Sequence, residues 1–190
     1  MKIVNSEIPE VLIINSKQYK DNRGWFMESF RLDLLESHVG HALHFCQENL
    51  SKSHKGVIRG LHFQLEPYAQ SKLVGVLLGR VLDVIVDIRK GSTTFGKHIA
   101  VELSAENQLQ IFIPRGFAHG YICLSEFSIF SYKADNYYNK ESEGSIAYND
   151  PKLGIDWILD PSTFLISEKD KLHPNLDQAQ CFNFKKPLYD

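Results

Sequence analysis

Gly56-Val57-Ile58-Arg59-Gly60-Leu61-His62-Phe63-Gln64 is the stretch on which the reading of this chain turns. Its residue types predict a β-strand. Two-residue alternation puts Ile58, Gly60, His62 and Gln64 on one face and Val57, Arg59, Leu61 and Phe63 on the other. Gly60 then neighbours His62 on its face, so the wall beside the imidazole has no side chain. A glycine inside a strand often marks a place where a ligand approaches the backbone. That makes His62 a candidate base in a pocket; the alternative is a core histidine whose ring nitrogens are satisfied by hydrogen bonds. In an ideal strand Arg59 faces away from His62. A ligand shared by the two requires a twist or bulge in the strand, or an arginine that reaches around its end.

The flanking sequence carries the same β signal. Short strands are predicted at Lys2 to Val4, Val11 to Ile14, Trp25 to Phe30 and Phe45 to Leu50, the last with Gln47 and Asn49 on one face. From Lys72 to Arg89 the signal is densest, with Gly75 and Gly79 dividing it. Asp83 and Asp87 share one face of the second half, and Val84, Val86 and Ile88 the other. Further strands cover Ile99 to Leu103, Leu109 to Ile113, Phe117 to Leu124 and Phe127 to Ala134. Turn signals stand at Asp21-Asn22-Arg23-Gly24, Gly91-Ser92 and Asn149-Asp150-Pro151. One helical patch, Leu32 to His38, and a loop-rich segment from Ala147 onward, with a helical turn near Ser167 to Leu172, complete the chain. Short strands every eight to twelve residues predict an all-β sandwich or barrel. The whole chain, 1–190, is expected to form one domain.

Composition excludes several classes. The 190 residues are 43% hydrophobic, enough for a full core, and carry a net charge of -2, which is not the basic footprint of a nucleic-acid binder. Cys46, Cys123 and Cys181 are odd in number and far apart, as reduced thiols of a cytoplasmic protein are. Neither a signal peptide nor a membrane span is expected.

A second histidine sits in Pro114-Arg115-Gly116-Phe117-Ala118-His119-Gly120. The spacing Pro-x-Gly-x-x-His resembles the second motif of cupin jelly-roll barrels, and Gly56 to His62 resembles the first. Metal-binding cupins usually carry His-x-His followed by Glu. Here Gln64 replaces the second histidine, and Tyr68 and Ala69 stand where the Glu belongs. Two imidazoles without a carboxylate at motif spacing fall short of a transition-metal set. The expectation is a cupin-type jelly-roll barrel with no metal and no cofactor.

A longer ordered pattern is more specific. It runs through Asp21 to Phe30, Gln47-Glu48-Asn49, Gly56 to Gln64, Lys72-Leu73-Val74, Asp83 to Arg89, Ile113 to Gly120 and Ser167-Glu168-Lys169-Asp170. Together these segments resemble the dTDP-4-dehydrorhamnose 3,5-epimerase family over nearly the whole chain. The resemblance implies a dTDP-linked 4-keto-6-deoxyhexose substrate, epimerised at C3 and C5 through enolates in dTDP-L-rhamnose biosynthesis. It implies His62 as base, for which an unperturbed imidazole near pKa 6.5 is suited, and Asp170 as the carboxylate that orients its ring. Lys72, with His119 nearby, is implied as the cation that meets the enolate oxygen. Tyr132 is implied as the acid that returns a proton to the opposite face. Arg23, Arg59 and Lys169 match positions around the phosphates, where an arginine fork suits phosphate oxygens. Glu28, Gln47, Glu48 and Asn49 match positions around nucleotide and sugar, Tyr138 an aromatic that stacks on thymine, and Glu143 a further binding position.

The family also implies a homodimer in which an N-terminal segment completes the neighbour's site, so that Arg23 and Glu28 serve the partner. The alternative is a monomer whose N-terminal strand caps its own barrel. Other readings are an epimerase of one centre only, one using a different nucleotide sugar, a metal-dependent cupin enzyme, and a sugar-binding module without catalysis.

Overall fold

The computed structural model describes residues 1–189. In chain order its elements are β1 (Lys2–Asn5), β2 (Leu12–Asn15), β3 (Gln18–Asp21), β4 (Gly24–Met27), α1 (Leu32–Val39), β5 (Gln47–His54), β6 (Ile58–Gln64), β7 (Lys72–Leu78), β8 (Arg80–Asp87), β9 (Arg89–Lys90), β10 (His98–Ser104), β11 (Leu109–Ile113), β12 (Phe117–Cys123), β13 (Phe127–Ala134), β14 (Glu143–Ser145) and β15 (Phe182–Asn183). Two antiparallel sheets carry the architecture. The first has the order β1-β2-β11-β7-β13-β5, the second β10-β8-β12-β6-β14. This is a jelly roll of the cupin type with one short helix. No helix among the described residues is long and apolar enough to cross a membrane.

Alternation along each strand sorts the side chains into three apolar layers. Val74, Val76, Ile111, Ile113 and Phe130 of the first sheet meet Val81, Ile85, Ile99, Leu103, Phe117 and Tyr121 of the second, filling the space between them. The outer face of the second sheet (Ile58, Leu61, Phe63, Leu82, Val84, Val86, Ile88) is covered by the C-terminal segment through Ile146, Leu153, Trp157, Leu176 and Phe182. The outer face of the first (Leu12, Ile14, Leu73, Phe112) lies under Leu35 of α1 and Leu43. β8 is therefore packed on both faces, which is why Val81 to Asp87 are all buried.

The decisive stretch departs from an ideal strand. His62 pairs with His119 and Arg59 with Tyr121, so Gly60 and Leu61 together oppose the single residue Gly120. This is a β-bulge, and the extra residue resets the alternation. Ile58 joins Leu61 and Phe63 on the outer face, while Arg59 and His62 line the same cavity. The face assignment that grouped Ile58 and Gly60 with His62 is corrected accordingly. Gly60 also has a different job from the one its position suggested. At φ +122, a Cβ on it would lie 2.6 Å from Gly120 Cα and 2.8 Å from His119 O. One on Gly120 would lie 2.7 Å from Arg59 O. The two glycines leave room for each other's backbone.

Smaller differences follow from pairing. Gly75 does not break β7, because its backbone pairs with both β11 and β13; Gly79 makes the break. β4 stops at Met27, and β5 begins at Gln47 and runs to His54 along β13. The helical turn expected near Ser167 to Leu172 is a 3₁₀ turn at Asp170–Leu172, and a second stands at Pro161–Thr163.

If the bulge requires two bare backbones, Gly60→Ala and Gly120→Ala each cost roughly 1–3 kcal/mol. For a chain of this size that lowers the melting temperature by about 2–4 °C per kcal/mol. Calorimetry showing unchanged melting in both variants would remove this account of the bulge.

Candidate active site

Between the sheets, at one end, the apolar filling gives way to polar side chains around a cavity of about 720 Å³. The second sheet contributes Arg59 and His62 from β6, His119 and Tyr121 from β12 and Glu143 from β14. The first contributes Asn49 from β5, Lys72 from β7 and Tyr132 from β13. The C-terminal segment adds Lys169 and Asp170, brought to the cavity where Leu165 pairs with Val57. The four residues singled out as catalytic thus share one cavity, with His62 on one sheet and Tyr132 on the other.

His62 is 27% exposed and has two acidic neighbours. Its Nε2 lies 3.2 Å from Asp170 Oδ1, and its Nδ1 lies 3.6 Å from Glu143 Oε1 without a hydrogen-bond partner. Burial tends to raise the pKa of Asp170, but the hydrogen bond and charge of His62, with help from His173 and the Gly60 N–H, hold it below the ordinary value. Glu143 is also held low. Burial opposes ionisation there, and Lys169 Nζ, donating to Oε2 at 2.6 Å, together with the Tyr138 hydroxyl at 3.1 Å, outweighs it. Glu143 thereby joins the rim residues Tyr138 and Lys169 to the base.

Lys72 is the most perturbed cation of the site. Burial lowers its pKa to about 8, against the opposing fields of Asp83 and Glu143. Its ammonium sits 5.6 Å from the centre of the Tyr132 ring. His119 Nε2 is 2.7 Å from Asp83 Oδ1, and the other oxygen of that fully buried carboxylate has no hydrogen-bond partner. Tyr132 has its pKa raised, chiefly by burial, with Asn49 pulling the other way through a hydrogen bond. The phenol keeps its proton at neutral pH. Arg59 is braced from behind: Nε donates to Ser53 Oγ at 3.0 Å, and that hydroxyl is 3.0 Å from the Tyr121 hydroxyl.

Not every candidate reaches the cavity. Gln47 holds the rim loop, accepting from the Tyr138 N–H at 3.0 Å and donating to Asn49 at 3.1 Å. Glu48 falls on the opposite face of β5, where it pairs with Lys133 at 2.9 Å; as a contact by its side chain in this chain's own cavity it is corrected. Arg23 and Glu28 stand on or just beyond the β3–β4 hairpin, away from the cavity, and pair locally with Asp21 and Arg31.

Two participants were missed from sequence. Asp83 carried a signal, an acidic residue within the otherwise apolar Val81 to Val86 run. His173 carried none, since it lies in the loop-rich segment. It packs edge-on against His62 with ring centres 5.0 Å apart, and burial followed by the neighbouring His62 lowers its pKa. The cupin histidines His62 and His119 pair across the sheet but are drawn to different carboxylates. Among the described residues, His62, Asp170 and His173 form the donor group compact enough for a metal.

The known proteins similar to this chain are sugar-nucleotide epimerases. The family model for dTDP-4-dehydrorhamnose 3,5-epimerase matches residues 5–178. The dTDP-4-dehydrorhamnose 3,5-epimerase of Shigella flexneri is 52% identical over 171 residues, 90% of this chain and 93% of its own. The crystal structure of dTDP-6-deoxy-D-glucose-3,5-epimerase RmlC from Legionella pneumophila, in complex with dTDP-4-keto-L-rhamnose, matches with a TM-score of 0.92 at 46% identity, covering 97% of this chain and 99% of that one. ChmJ, a 3'-monoepimerase from Streptomyces bikiniensis in complex with dTDP-quinovose, matches at 0.85 and 30% identity over 92% of this chain and 87% of that one.

The Lys72 environment is open to direct measurement. Carbon NMR of ε-labelled lysine is expected to show one amine titrating near 8. Asp83→Asn removes a field that favours the ammonium, so it moves that titration lower still. A Lys72 resonance titrating with the solvent lysines would contradict the buried placement.

Proposed function

The chain belongs to the dTDP-4-dehydrorhamnose 3,5-epimerase family, and on that premise we propose that it converts dTDP-4-keto-6-deoxy-D-glucose to dTDP-4-keto-L-rhamnose by stepwise epimerisation at C3 and C5. The observation that carries this reading is the opposition of His62 and Tyr132 across one cavity, from different sheets. Inverting a carbon requires proton removal on one face and proton return on the other. A base and an acid on facing walls supply both.

The C4 ketone acidifies the hydrogens on C3 and C5. His62 takes one, with Asp170 at 3.2 Å stabilising the imidazolium. Charge moves to the C4 oxygen, where the Lys72 ammonium and His119, held by Asp83, are already in place. Such preorganised donors usually supply the largest share of a barrier reduction. Tyr132 then delivers its proton from the opposite side.

Arg59 and Lys169 face the diphosphate, Tyr138 stacks on the thymine, and Asn49, Gln47 and Glu143 shape the nucleotide and sugar subsites. Arg23, Glu28 and the Gln47–Asn49 strand serve the nucleotide end. The β3–β4 hairpin supports a homodimer: Tyr19, Trp25 and Phe26 are 56%, 54% and 68% exposed on an arm that turns Arg23 away from its own cavity. Clustered exposed aromatics of this kind usually mark an interface. In the dimer the arm reaches the neighbour's site. The spacing of the three thiols and the nucleotide-sugar substrate fit a cytoplasmic enzyme.

Incubation with the keto sugar in deuterated water tests the chemistry: label is expected at both C3 and C5. Label at C3 alone would replace this reading with single-centre epimerisation, the activity in the name of the ChmJ relative. His62→Ala is expected to lower turnover by about 10²–10⁴-fold. Activity is expected to fall as pH rises through about 8, because the Lys72 ammonium loses its proton there. Lys72→Met should remove that limb along with most of the rate. For the arm, mixing His62→Ala with Arg23→Ala chains should restore roughly a quarter of the sites, since in a two-fold dimer only one site of each mixed pair is intact. No restoration between inactive variants would place the arm on its own barrel.

A further inference from the structure

Behind one wall of the cavity, the His62–Asp170 pair adjoins a third donor residue, His173, that the epimerisation does not use. His173 Nε2 lies 3.4 Å from Asp170 Oδ1, the same oxygen that faces His62 Nε2 at 3.2 Å. The donor atoms of all three residues fall within 4.8 Å of one another. The His173 side chain is only 5% exposed, and among the described residues its ring nitrogens meet no partner of good geometry, with only the Ile146 backbone and the Asp170 carboxylate facing the ring. Buried polar atoms are nearly always well partnered, so a ring this weakly held has donor capacity left for a ligand.

The spacing suits a small divalent cation. Imidazole nitrogens and carboxylate oxygens bind Zn²⁺ tetrahedrally at about 2.0–2.2 Å, which puts neighbouring donors about 3.3–3.5 Å apart. Two of the three edges here, 3.2 and 3.4 Å, are at or near that value before any ion is added. The third, between the two imidazoles, lies within 4.8 Å and would shorten on binding. Three protein donors leave the fourth tetrahedral position to water. Two imidazoles and one carboxylate favour Zn²⁺ over Mg²⁺ or Ca²⁺, which prefer all-oxygen surroundings. This is a different set from the metal pair that cupin spacing suggests, because His119 is already held by Asp83 at 2.7 Å.

We propose that His62, Asp170 and His173 form a Zn²⁺ site that inhibits the enzyme. With Zn²⁺ on Nε2 of His62, a neutral ring must carry its one proton on Nδ1. No lone pair remains to accept hydrogen from carbon, and Asp170 is no longer free to stabilise an imidazolium. Zinc binding needs only the three side chains; its inhibitory effect rests on the proposed role of His62 as base.

Calorimetric titration of the metal-free full-length protein with ZnCl₂, without substrate, tests the site. One Zn²⁺ per chain is expected, and MgCl₂ should give no heat. His173→Gln should weaken binding at least tenfold, while His119→Asn should leave it intact. Should His173→Gln fail to fold, Co²⁺ in the wild-type protein decides: an intense visible band of tetrahedral Co²⁺ supports the site, and a weak octahedral spectrum overturns it. Unchanged affinity in a folded His173→Gln protein, or loss of binding in His119→Asn instead, would also overturn it. Saturating Zn²⁺ should then stop solvent-hydrogen exchange into the sugar, and chelator should restore it. Exchange that continues with the zinc site filled would defeat inhibition and the assignment of His62 as base, while leaving the metal site standing.

Discussion

The site depends on one close approach of backbone to backbone, Gly60 against Gly120. It lets β6 carry an extra residue opposite β12, and that residue turns Arg59 and His62 toward the same wall. Without it, the two-residue period would send the proposed phosphate-binding cation and the proposed base to opposite faces of the sheet. The outer face gains as well. Ile58, Leu61 and Phe63 come together under the C-terminal segment, so one irregularity completes an apolar layer and a polar cavity at once. The tolerance for side chains at these positions is therefore set by packing, although the effect is felt in the chemistry.

Electrostatics around the cavity follow a division of labour. Charges at the rim are paired with each other, as Lys169 is with Glu143, and are free to re-pair with a charged ligand. Inside, Lys72 makes no direct ion pair among the described residues and feels Asp83 and Glu143 through space. A cation in that state is costly to keep charged, and a developing oxyanion relieves the cost. Asp83 serves two clients, fixing the ring of His119 and supporting the charge of Lys72.

The sequence was most informative where a single physical rule acted alone. Alternation located nearly every strand of the two sheets, and the Asp83/Asp87 face against Val84, Val86 and Ile88 was correct because β8 is regular. It failed at Gly75, where pairing on both sides outweighs the propensity of one residue. It also failed across Gly60, where the bulge that a ligand shared by Arg59 and His62 would require resets the faces. The cavity was legible mainly through the ordered family pattern, which named His62, Lys72, Tyr132 and Asp170. Residue-level rules alone reached the two histidines and little more. A motif match does not fix orientation: Gln47 and Asn49 turn inward on β5, and alternation turns the Glu48 side chain out to Lys133. His173 was invisible because loops have no period to read.

The C-terminal segment covers the second sheet and also brings Asp170 to His62. One stretch of chain thus does two jobs, and they cannot be separated: a change that loosens the tail from the outer face of the second sheet also draws the carboxylate away from the imidazole.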